Sequence, residues 1–405
     1  MILCKDIRST TESTCGTANT TSSEGSRSSN NSRTTTAVPT IPDRHPCITT
    51  VERPMQFPKP TLEPARWMRC NKTSESILVR DPITFETFEA SNVLYTTDDW
   101  DSLSTVSGYW IRNTIKKALF GRVVRAIVLR RCCSDDICEW ELTDVECAIK
   151  VLSKSKIRND RKKVGEDPIK EIAAMQYMKR CGRAQSHVLT PVEVLADSKY
   201  IFVVLPLCKG GELYDRLDMK GRFCEDESRH WFSQICKGIS TLHHSGVCHR
   251  DLSLENILIH DDGSCHIIDM GMSLRVPQHR EHTKCSRRVL ISPQGRCGKV
   301  NYMSPEVYRN DESFDPQAID LWSAGTILFM MLTGAPPFQR PCSSDPCFPW
   351  IASGRLPELL HAWGINGVSM EALDLLEGML CVDPKKRYTL QQVINHPWMR
   401  NDFAH

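Results

Sequence analysis

The sequence has little net charge and no long uninterrupted hydrophobic run. Its 405 residues carry a formal net charge of +2, which gives no reason to expect a nucleic-acid or membrane-surface partner. The longest apolar stretch, Ala318–Phe338, contains Asp320 and closes with two prolines, which is typical of a buried helix rather than a membrane span. The first residues have too short an apolar core for a signal peptide. We therefore expect a globular protein in the cytoplasm, with the nucleus as the alternative, and no nucleic-acid or membrane partner.

Paired CxxC motifs of the kind that bind zinc are also missing, although the chain contains 19 cysteines. The cysteines grouped within 132–138 and 342–347 do not have that spacing. Cys248 and Cys265 lie within apolar runs, which is typical of small core residues. We expect free thiols in a reducing compartment and no cysteine metal site.

The composition of the chain changes twice along its length. Serine and threonine dominate up to about Thr50, so the segment 1–53 is predicted to be a disordered tail. The segment 54–108 is rich in proline at first and then mixed, and it reads as a poorly defined region ahead of the domain. From 109 to 400, β-branched runs such as FGRVVRAIVL and SKYIFVVLPL come first and helical patterns follow. This order predicts one α+β domain with a small β-rich lobe and a larger helical lobe.

Five residues in this domain could together support phosphoryl transfer. That chemistry needs a cation for the nucleotide phosphates, oxygen ligands for Mg²⁺ and a group that orients the attacking hydroxyl. The candidates are Lys150 at the end of a predicted strand, Glu171 on a predicted helix, Asp251 and Asn256 in HRDLSLEN, and Asp269 after another strand. Each alone has a structural alternative, such as a surface lysine or a turn aspartate. Their combination and order favour a phosphate-transfer site.

This combination resembles the eukaryotic protein kinase family across the whole predicted domain. The resemblance is to serine/threonine kinases, and the sequence pattern is most similar to that of the calcium/calmodulin-dependent group. It implies the bilobal protein kinase fold. ATP and Mg²⁺ are the implied cofactors, and a protein is the implied substrate. Lys150 would bind the α- and β-phosphates and pair with Glu171. Asp251 would accept the proton of the substrate hydroxyl, and Asn256 and Asp269 would hold Mg²⁺.

The resemblance also implies an adenine pocket and two structural contacts. The implied nucleotide-binding residues, besides Lys150, are Gly121, Val123, Ala148, Leu205, Cys208, Glu212 and Leu258. Cys208 would act through its backbone, whereas Glu212 would reach the ribose or a basic residue of the substrate. Glu306 and Arg387 would form a buried ion pair under the activation segment, which is the stretch between Asp269 and Glu306. Asp320 would connect the catalytic-loop backbone to the central helix.

The glycine-rich loop and the residue after Asp269 depart from the family pattern. The family has GxGxxGxV over the phosphates, whereas this chain has KKALFGRV and keeps only Gly121. Ala118 is expected to weaken backbone contacts with phosphate, because glycine allows the closest approach. Lys116 or Lys117 would either compensate by charge or face the solvent. Met270 replaces a phenylalanine with an adaptable apolar side chain of similar length, which is a mild change.

The catalytic loop departs from the family at Ser253, where serine/threonine kinases have a lysine that contacts the transferred phosphate. The loop that ends GKVNYMSPEV has Lys299 where the family usually has threonine. We hypothesise that the ammonium group of Lys299 replaces the one that is missing at Ser253. In the alternative, Lys299 faces the solvent, and the chain could then be a pseudokinase scaffold that binds ATP weakly or not at all.

Regulation and substrate preference are suggested by charge. Basic residues outnumber acidic ones in the segment 273–298, where Ser286 and Ser292 are phosphorylation candidates for an activating kinase and Arg250 could dock the phosphate. The alternative is a solvated mobile loop. Glu212 and Glu255 match positions that pair with arginines of basic peptides in related kinases. They could equally contact ribose or solvent.

Overall fold

The computed structural model describes residues 48–68, 76–96, 107–134, 137–160, 167–182, 187–277 and 288–400. The strands are β1 (Ile48–Val51), β2 (Glu63–Met68), β3 (Ile77–Arg80), β4 (Thr87–Ala90), β5 (Val93–Thr96), β6 (Ser107–Ala118), β7 (Gly121–Ser134), β8 (Ile137–Ser153), β9 (Glu193–Ala196), β10 (Tyr200–Pro206), β11 (Gly211–Glu212), β12 (Val247–Cys248), β13 (Ile257–Ile259), β14 (Cys265–Ile267), β15 (Leu274–Arg275) and β16 (Arg288–Ile291).

The helices are α1 (Lys154–Asp160), α2 (Pro168–Arg180), α3 (Leu213–Lys220), α4 (Glu225–His244), α5 (Pro305–Arg309), α6 (Pro316–Thr333), α7 (Phe348–Ala352), α8 (Leu356–Ala362), α9 (Met370–Met379), α10 (Leu390–Ile394) and α11 (Pro397–Arg400). The first lobe is rich in strands and the second in helices, so the predicted α+β, bilobal architecture is confirmed. No helix among the described residues is long and apolar enough to cross a membrane.

The strand-rich lobe closes into a barrel. Pairing runs in the order β2, β5, β6, β7, β8, β10 and β9, and β9 pairs in turn with β2. A core cluster inside this ring takes side chains from each of these strands, among them Ala65, Leu94, Ile149, Leu195 and Phe202. The strands alternate apolar and polar positions, so one face fills the barrel while the other meets solvent or the second lobe. The β3–β4 hairpin continues the sheet from the outer part of β8.

The segment before residue 109 differs most from the sequence prediction. The region 54–108 was expected to be poorly defined, yet it supplies β2 and β5 to the barrel and also forms the β3–β4 hairpin. β1 lies inside the predicted disordered tail and pairs with β16. The β2 sequence, EPARWM, contains few strong strand formers, and its partner β9 lies far away in sequence, which explains why local patterns missed this strand. Residues 1–47 of the predicted tail lie outside the described residues.

The helical lobe is organised around α6, which is buried along almost its whole length. Asp315 caps the helix by accepting hydrogen bonds from the backbone N–H groups of Gln317 and Ala318. Gly334 ends it in a left-handed conformation, with φ of 80°. An apolar sequence with no polar stripe makes a central helix of this kind, as was predicted for this stretch. α6 packs against α4 and α9 and so supports the catalytic loop from below.

Candidate active site

Lys150 and Glu171 are brought together by β8 and α2. The Lys150 Nζ atom lies 2.7 Å from both carboxylate oxygens of Glu171. Asp167 caps α2, and Pro168 follows at the start of the helix, so these two residues determine where the helix begins. The Glu171 side chain is only 8% exposed, which keeps the ion pair out of bulk water. The predicted pairing of these two residues is thus present in the structure.

The register of β7, β8 and β10 places the predicted adenine-pocket residues on one face. Val123 stands opposite Lys150, and Ala148 stands opposite Leu205. Directly opposed residues in antiparallel strands share a face, so these four side chains point to the same side of the sheet. The intervening residues, such as Ile149, point into the barrel. All four are partly exposed, as expected for the wall of an open cleft.

Gly121 is required where β7 begins. A Cβ atom at this position would lie 1.8 Å from the backbone oxygen of Val151, so no other residue fits without moving the strand. Gly121 thus remains from the family's loop for a packing reason within the barrel. The same loop carries Lys116, whose ammonium group forms an ion pair with Glu212 on the other lobe. Sequence reasoning did not predict this contact, which places a salt bridge between the loop and the start of α3.

The connection between the lobes holds Cys208, and Leu258 lies close to it in the fold. Burial raises the pKa of the Cys208 thiol to about 11. Leu258 pairs with Glu212 in the sheet formed by β11, β13 and β14, so both lie beside this connection. Lys209, next to Cys208, forms two ion pairs: one with Glu146 on β8, at 3.1 Å, and one with Asp261 of the helical lobe, at 3.2 Å. These bridges join the two lobes beside the predicted nucleotide pocket.

The catalytic loop is held rigidly by Asp320 from α6. The carboxylate of Asp320 accepts hydrogen bonds of 2.9 Å from the backbone N–H groups of His249 and Arg250, as the sequence predicted. Burial alone would raise the pKa of Asp320, but the hydrogen bond with His243 and the backbone N–H of Arg250 lower it. Arg250 has a φ of 70°, an uncommon value for a residue with a side chain, and this brings Asp251 into the cleft.

Asp251 and Asn256 are in direct contact. The Asn256 side-chain amide donates to the Asp251 backbone oxygen at 2.7 Å and to its carboxylate at 3.0 Å. Since the amide nitrogen is engaged in this way, the amide oxygen of Asn256 is the atom left to face a cation. The backbone N–H of Ile268 donates to the Asn256 carbonyl at 2.9 Å. Asp269, the next residue along the chain, is thereby held beside Asn256.

The oxygen donors of Asn256 and Asp269 fit Mg²⁺, which prefers carboxylate and amide oxygens and takes its other ligands from phosphates and water. Asp269 has a φ of 65°, so it departs from the extended backbone of β14 just before it. Its Oδ1 atom accepts a hydrogen bond from the backbone N–H of Gly271. No cluster of three or more His, Cys, Asp or Glu side chains suited to a metal occurs in the described part of the chain.

Lys299 lies across the cleft from the catalytic loop and contacts the position that lacks the family's lysine. Its Nζ atom donates to the Ser253 hydroxyl at 2.7 Å, and its backbone N–H donates to the Asp251 carboxylate at 3.0 Å. Gly298 allows this approach, because it has a φ of 84° and a Cβ atom there would lie 2.7 Å from the Arg250 backbone oxygen. The structure thus brings the ammonium group of Lys299 to the place predicted from the sequence.

Glu255 has partners that the sequence did not reveal. The Tyr302 hydroxyl donates to its carboxylate at 3.3 Å, and the Lys299 Nζ atom lies 3.9 Å away. Burial, followed by the charge of Glu255, raises the pKa of Tyr302 and keeps its hydroxyl protonated. Tyr302 therefore positions the acidic side chain beside Lys299. The position of Tyr302 shortly after Lys299, in the sequence NYM, was the only sign in the sequence that it could contact Glu255.

The ion pair predicted for Glu306 and Arg387 is present, and Met270 lies in the core. The Arg387 guanidinium binds Glu306 through two hydrogen bonds of 2.7 and 3.1 Å, and both side chains are almost fully buried. Met270 and Met175 lie in the same large core cluster, where Met270 is 1% exposed. The methionine after Asp269 thus fills an apolar position beneath the cleft.

A strand-rich lobe with an ion-paired lysine faces a helical lobe with an anchored aspartate and a neighbouring asparagine, and this arrangement is that of a protein kinase domain. The chain belongs to the protein kinase domain family, which matches residues 137–399. It is 34% identical over 267 residues to CBL-interacting serine/threonine-protein kinase 17 of Arabidopsis thaliana, covering 65% of this chain and 56% of that protein.

A mouse relative gives a similar result. Ribosomal protein S6 kinase alpha-6 of Mus musculus is 34% identical over 268 residues, which cover 65% of this chain and 32% of that protein. The chain therefore spans between about a third and somewhat over half of the length of these two relatives.

Proposed function

We propose that this protein is an ATP-dependent serine/threonine protein kinase that transfers the γ-phosphate to hydroxyl groups of proteins. The observation that carries the proposal is the joint presence of Lys150 paired with Glu171, Asp251 hydrogen-bonded to Asn256, and Asp269 beside them. The name of the Arabidopsis thaliana relative supports the serine/threonine class. A scaffold that only bound partners would not need this complete set of phosphate, base and metal groups.

In the proposed reaction, each of these residues has a separate task. Lys150 holds the α- and β-phosphates, while Glu171 keeps its ammonium group in position. Mg²⁺ held by Asn256 and Asp269 would neutralise charge on the phosphates of ATP. Asp251 orients the substrate hydroxyl and accepts its proton, and its own position is fixed by the amide group of Asn256.

Lys299 supplies the charge that the family takes from a lysine at position 253. Its ammonium group, hydrogen-bonded to Ser253 and close to Asp251, would meet the negative charge that develops on the transferred phosphate. The backbone contact with Asp251 fixes the start of the Lys299 side chain. Ser253 then acts as a guide for the ammonium group in the absence of substrate.

Transfer from Mg-ATP to a peptide library tests this function directly. The wild-type protein should phosphorylate serine or threonine peptides, whereas Asp251→Asn should lose nearly all transfer while keeping its fold, checked by circular dichroism. ATP binding without transfer by the wild-type protein would instead establish the pseudokinase scaffold.

Basic peptides are the proposed substrate class, because Glu212 and Glu255 provide two carboxylates at the cleft. Both already contact lysines of the chain, Lys116 and Lys299, so a substrate arginine must compete with these cations. Peptides with and without arginine before the target hydroxyl would reveal the preference through their KM values. A cytoplasmic location, with the nucleus as the alternative, stays a prediction.

An activating kinase acting on the segment 273–298 is the proposed means of regulation. Arg250 donates to the Gly295 backbone oxygen at 3.3 Å, and its buried Nε atom has no hydrogen-bond partner among the described residues. Burial, with a contribution from the charge of Arg250, lowers the pKa of Lys170. Two neighbouring cations would favour a phosphate. Of the two candidate sites, Ser286 lies outside the described residues, and Ser292 is partly buried beside β16.

A further inference from the structure

Residues 48–68, here named the N-terminal strap, connect the activation segment to the barrel. The strap begins with β1, which runs parallel to β16 with Ile48 opposite Arg288 and Val51 opposite Ile291. On its other side, β16 is held by two hydrogen bonds between Ile291 and Phe314, of 2.8 and 2.9 Å. The strap therefore adds a neighbouring strand to β16, inside the activation segment.

Further backbone contacts continue along the strap. The Met55 N–H donates to the Arg275 backbone oxygen at 2.9 Å, and the Arg275 guanidinium donates to the Gln56 backbone oxygen at 3.1 Å. The Ser292 N–H donates to the Val51 backbone oxygen at 3.1 Å. The strap is thus bound to both described ends of the activation segment, before residue 278 and after residue 287.

The strap then contacts α2, the helix that carries Glu171. Thr61 and Gln176 form two reciprocal hydrogen bonds, of 2.9 Å from the Thr61 N–H and 2.7 Å to the Thr61 carbonyl. The ring of Phe57 meets the ring of Tyr177 edge-on at 5.8 Å. The Arg275 guanidinium lies 4.7 Å from the centre of the same tyrosine ring. Side chains of the strap and of the activation segment therefore meet on one face of α2.

The far end of the strap is anchored in the barrel. β2 pairs with β5 and β9 and contributes Ala65 to the barrel core. One continuous stretch of chain therefore touches the segment that leads to Lys299, the helix that carries Glu171 and the barrel that carries Lys150. These three parts must be correctly placed at the same time for the proposed reaction.

We infer that the N-terminal strap is an intramolecular brace that holds α2 and the activation segment in the arrangement needed for phosphate transfer. The inference rests on the proposed kinase function. The contacts of the strap are mostly hydrogen bonds to backbone atoms, so they depend on the path of its backbone more than on its side chains. Release of the strap would let α2 and the activation segment move apart together, and removal or modification of this segment would regulate the enzyme.

The test uses full-length variants in which the hydrogen bonds between the strap and its neighbours are changed. Met55→Pro removes the N–H that binds Arg275, and Met55→Ala is the matched control that keeps it; the Met55 residue is 42% exposed, so neither change empties a core site. Gln176→Ala removes the pair of bonds to Thr61. Loss of one hydrogen bond should increase local opening about fivefold, measured as faster amide exchange at residues 288–294 and in α2.

The expected result is faster exchange in both elements, together with a several-fold lower kcat, for Met55→Pro and Gln176→Ala but not for Met55→Ala. Equal exchange in all variants, or faster exchange with an unchanged kcat, would overturn the brace. If the wild-type protein transfers no phosphate, the proposed function fails, and exchange alone decides whether the strap holds these elements. Exchange that rises in the activation segment but not in α2 in Met55→Pro would refute their coupling.

Discussion

Substitution of Lys299 by methionine tests whether its ammonium group replaces the catalytic lysine missing at Ser253 or simply faces the solvent. Methionine keeps an unbranched apolar stem and removes only the ammonium group that lies 2.7 Å from the Ser253 hydroxyl. Loss of one preorganised electrostatic contact lowers kcat by about 10² to 10³, or roughly 3–4 kcal/mol. Because the Lys299 side chain is 35% exposed, water weakens its effect, and we expect a loss of about 100-fold, at the lower end.

The assay is steady-state transfer from Mg-ATP to one peptide, with kcat and the KM for ATP determined separately. The KM for ATP should change little, since Lys299 contacts the catalytic loop and the adenine-facing residues lie on other strands. Lys237→Met on the exposed face of α4 is the matched control. The double variant Ser253→Lys with Lys299→Thr restores the family's arrangement and should recover part of the lost rate. A kcat for Lys299→Met within about threefold of wild type would refute the relocation.

Two other predictions concern stability and thiol chemistry. Arg387→Ala should lower the free energy of unfolding by about 3–5 kcal/mol in urea titrations, because Glu306 is left buried without its cation. The control Arg355→Ala removes an exposed ion pair and should lower the free energy of unfolding by less than about 1 kcal/mol. Equal losses in the two variants would contradict this prediction. Iodoacetamide should label Cys342 at least about tenfold faster than Cys208 at pH 8, because a hydrogen bond with Ser344 lowers the pKa of Cys342 while burial raises the pKa of Cys208 to about 11. The labelling rate of Cys208 should rise with pH up to about 11. Equal labelling rates of the two cysteines, measured by mass spectrometry, would show that their pKa values do not differ in this way.

The active-site residues could be predicted because phosphate transfer demands particular residue types in a particular order. Lys150 and Asp251 are recognisable from their immediate neighbours. Even the contact between Lys299 and Ser253 could be predicted, because the family's lysine is missing at Ser253 and an additional lysine stands at position 299. The partners of Glu212 and Glu255 could not be predicted in the same way. Such contacts join distant parts of the chain and depend on side-chain direction, which local patterns do not encode.

The N-terminal strands were missed for a related reason. A strand is identified locally by alternation and β-branched residues. β1 has such residues but is only four residues long and ends a segment rich in serine and threonine, whereas β2 contains Glu63, Pro64 and Ala65, which have weak strand preference. Their stability comes from pairing with β16, β5 and β9. Two of these partners lie far along the chain, so only the completed fold reveals them.

The closed barrel has a consequence for biosynthesis. β2 leaves the ribosome well before β9, yet its pairing with β9 must wait until residues 193–196 have been made. Such long-range pairing is slow, because a large loop must close before any contact stabilises it. The nascent chain therefore carries an unpaired strand edge while the rest of the small lobe is being synthesised, and the ring becomes complete only after β9 has emerged.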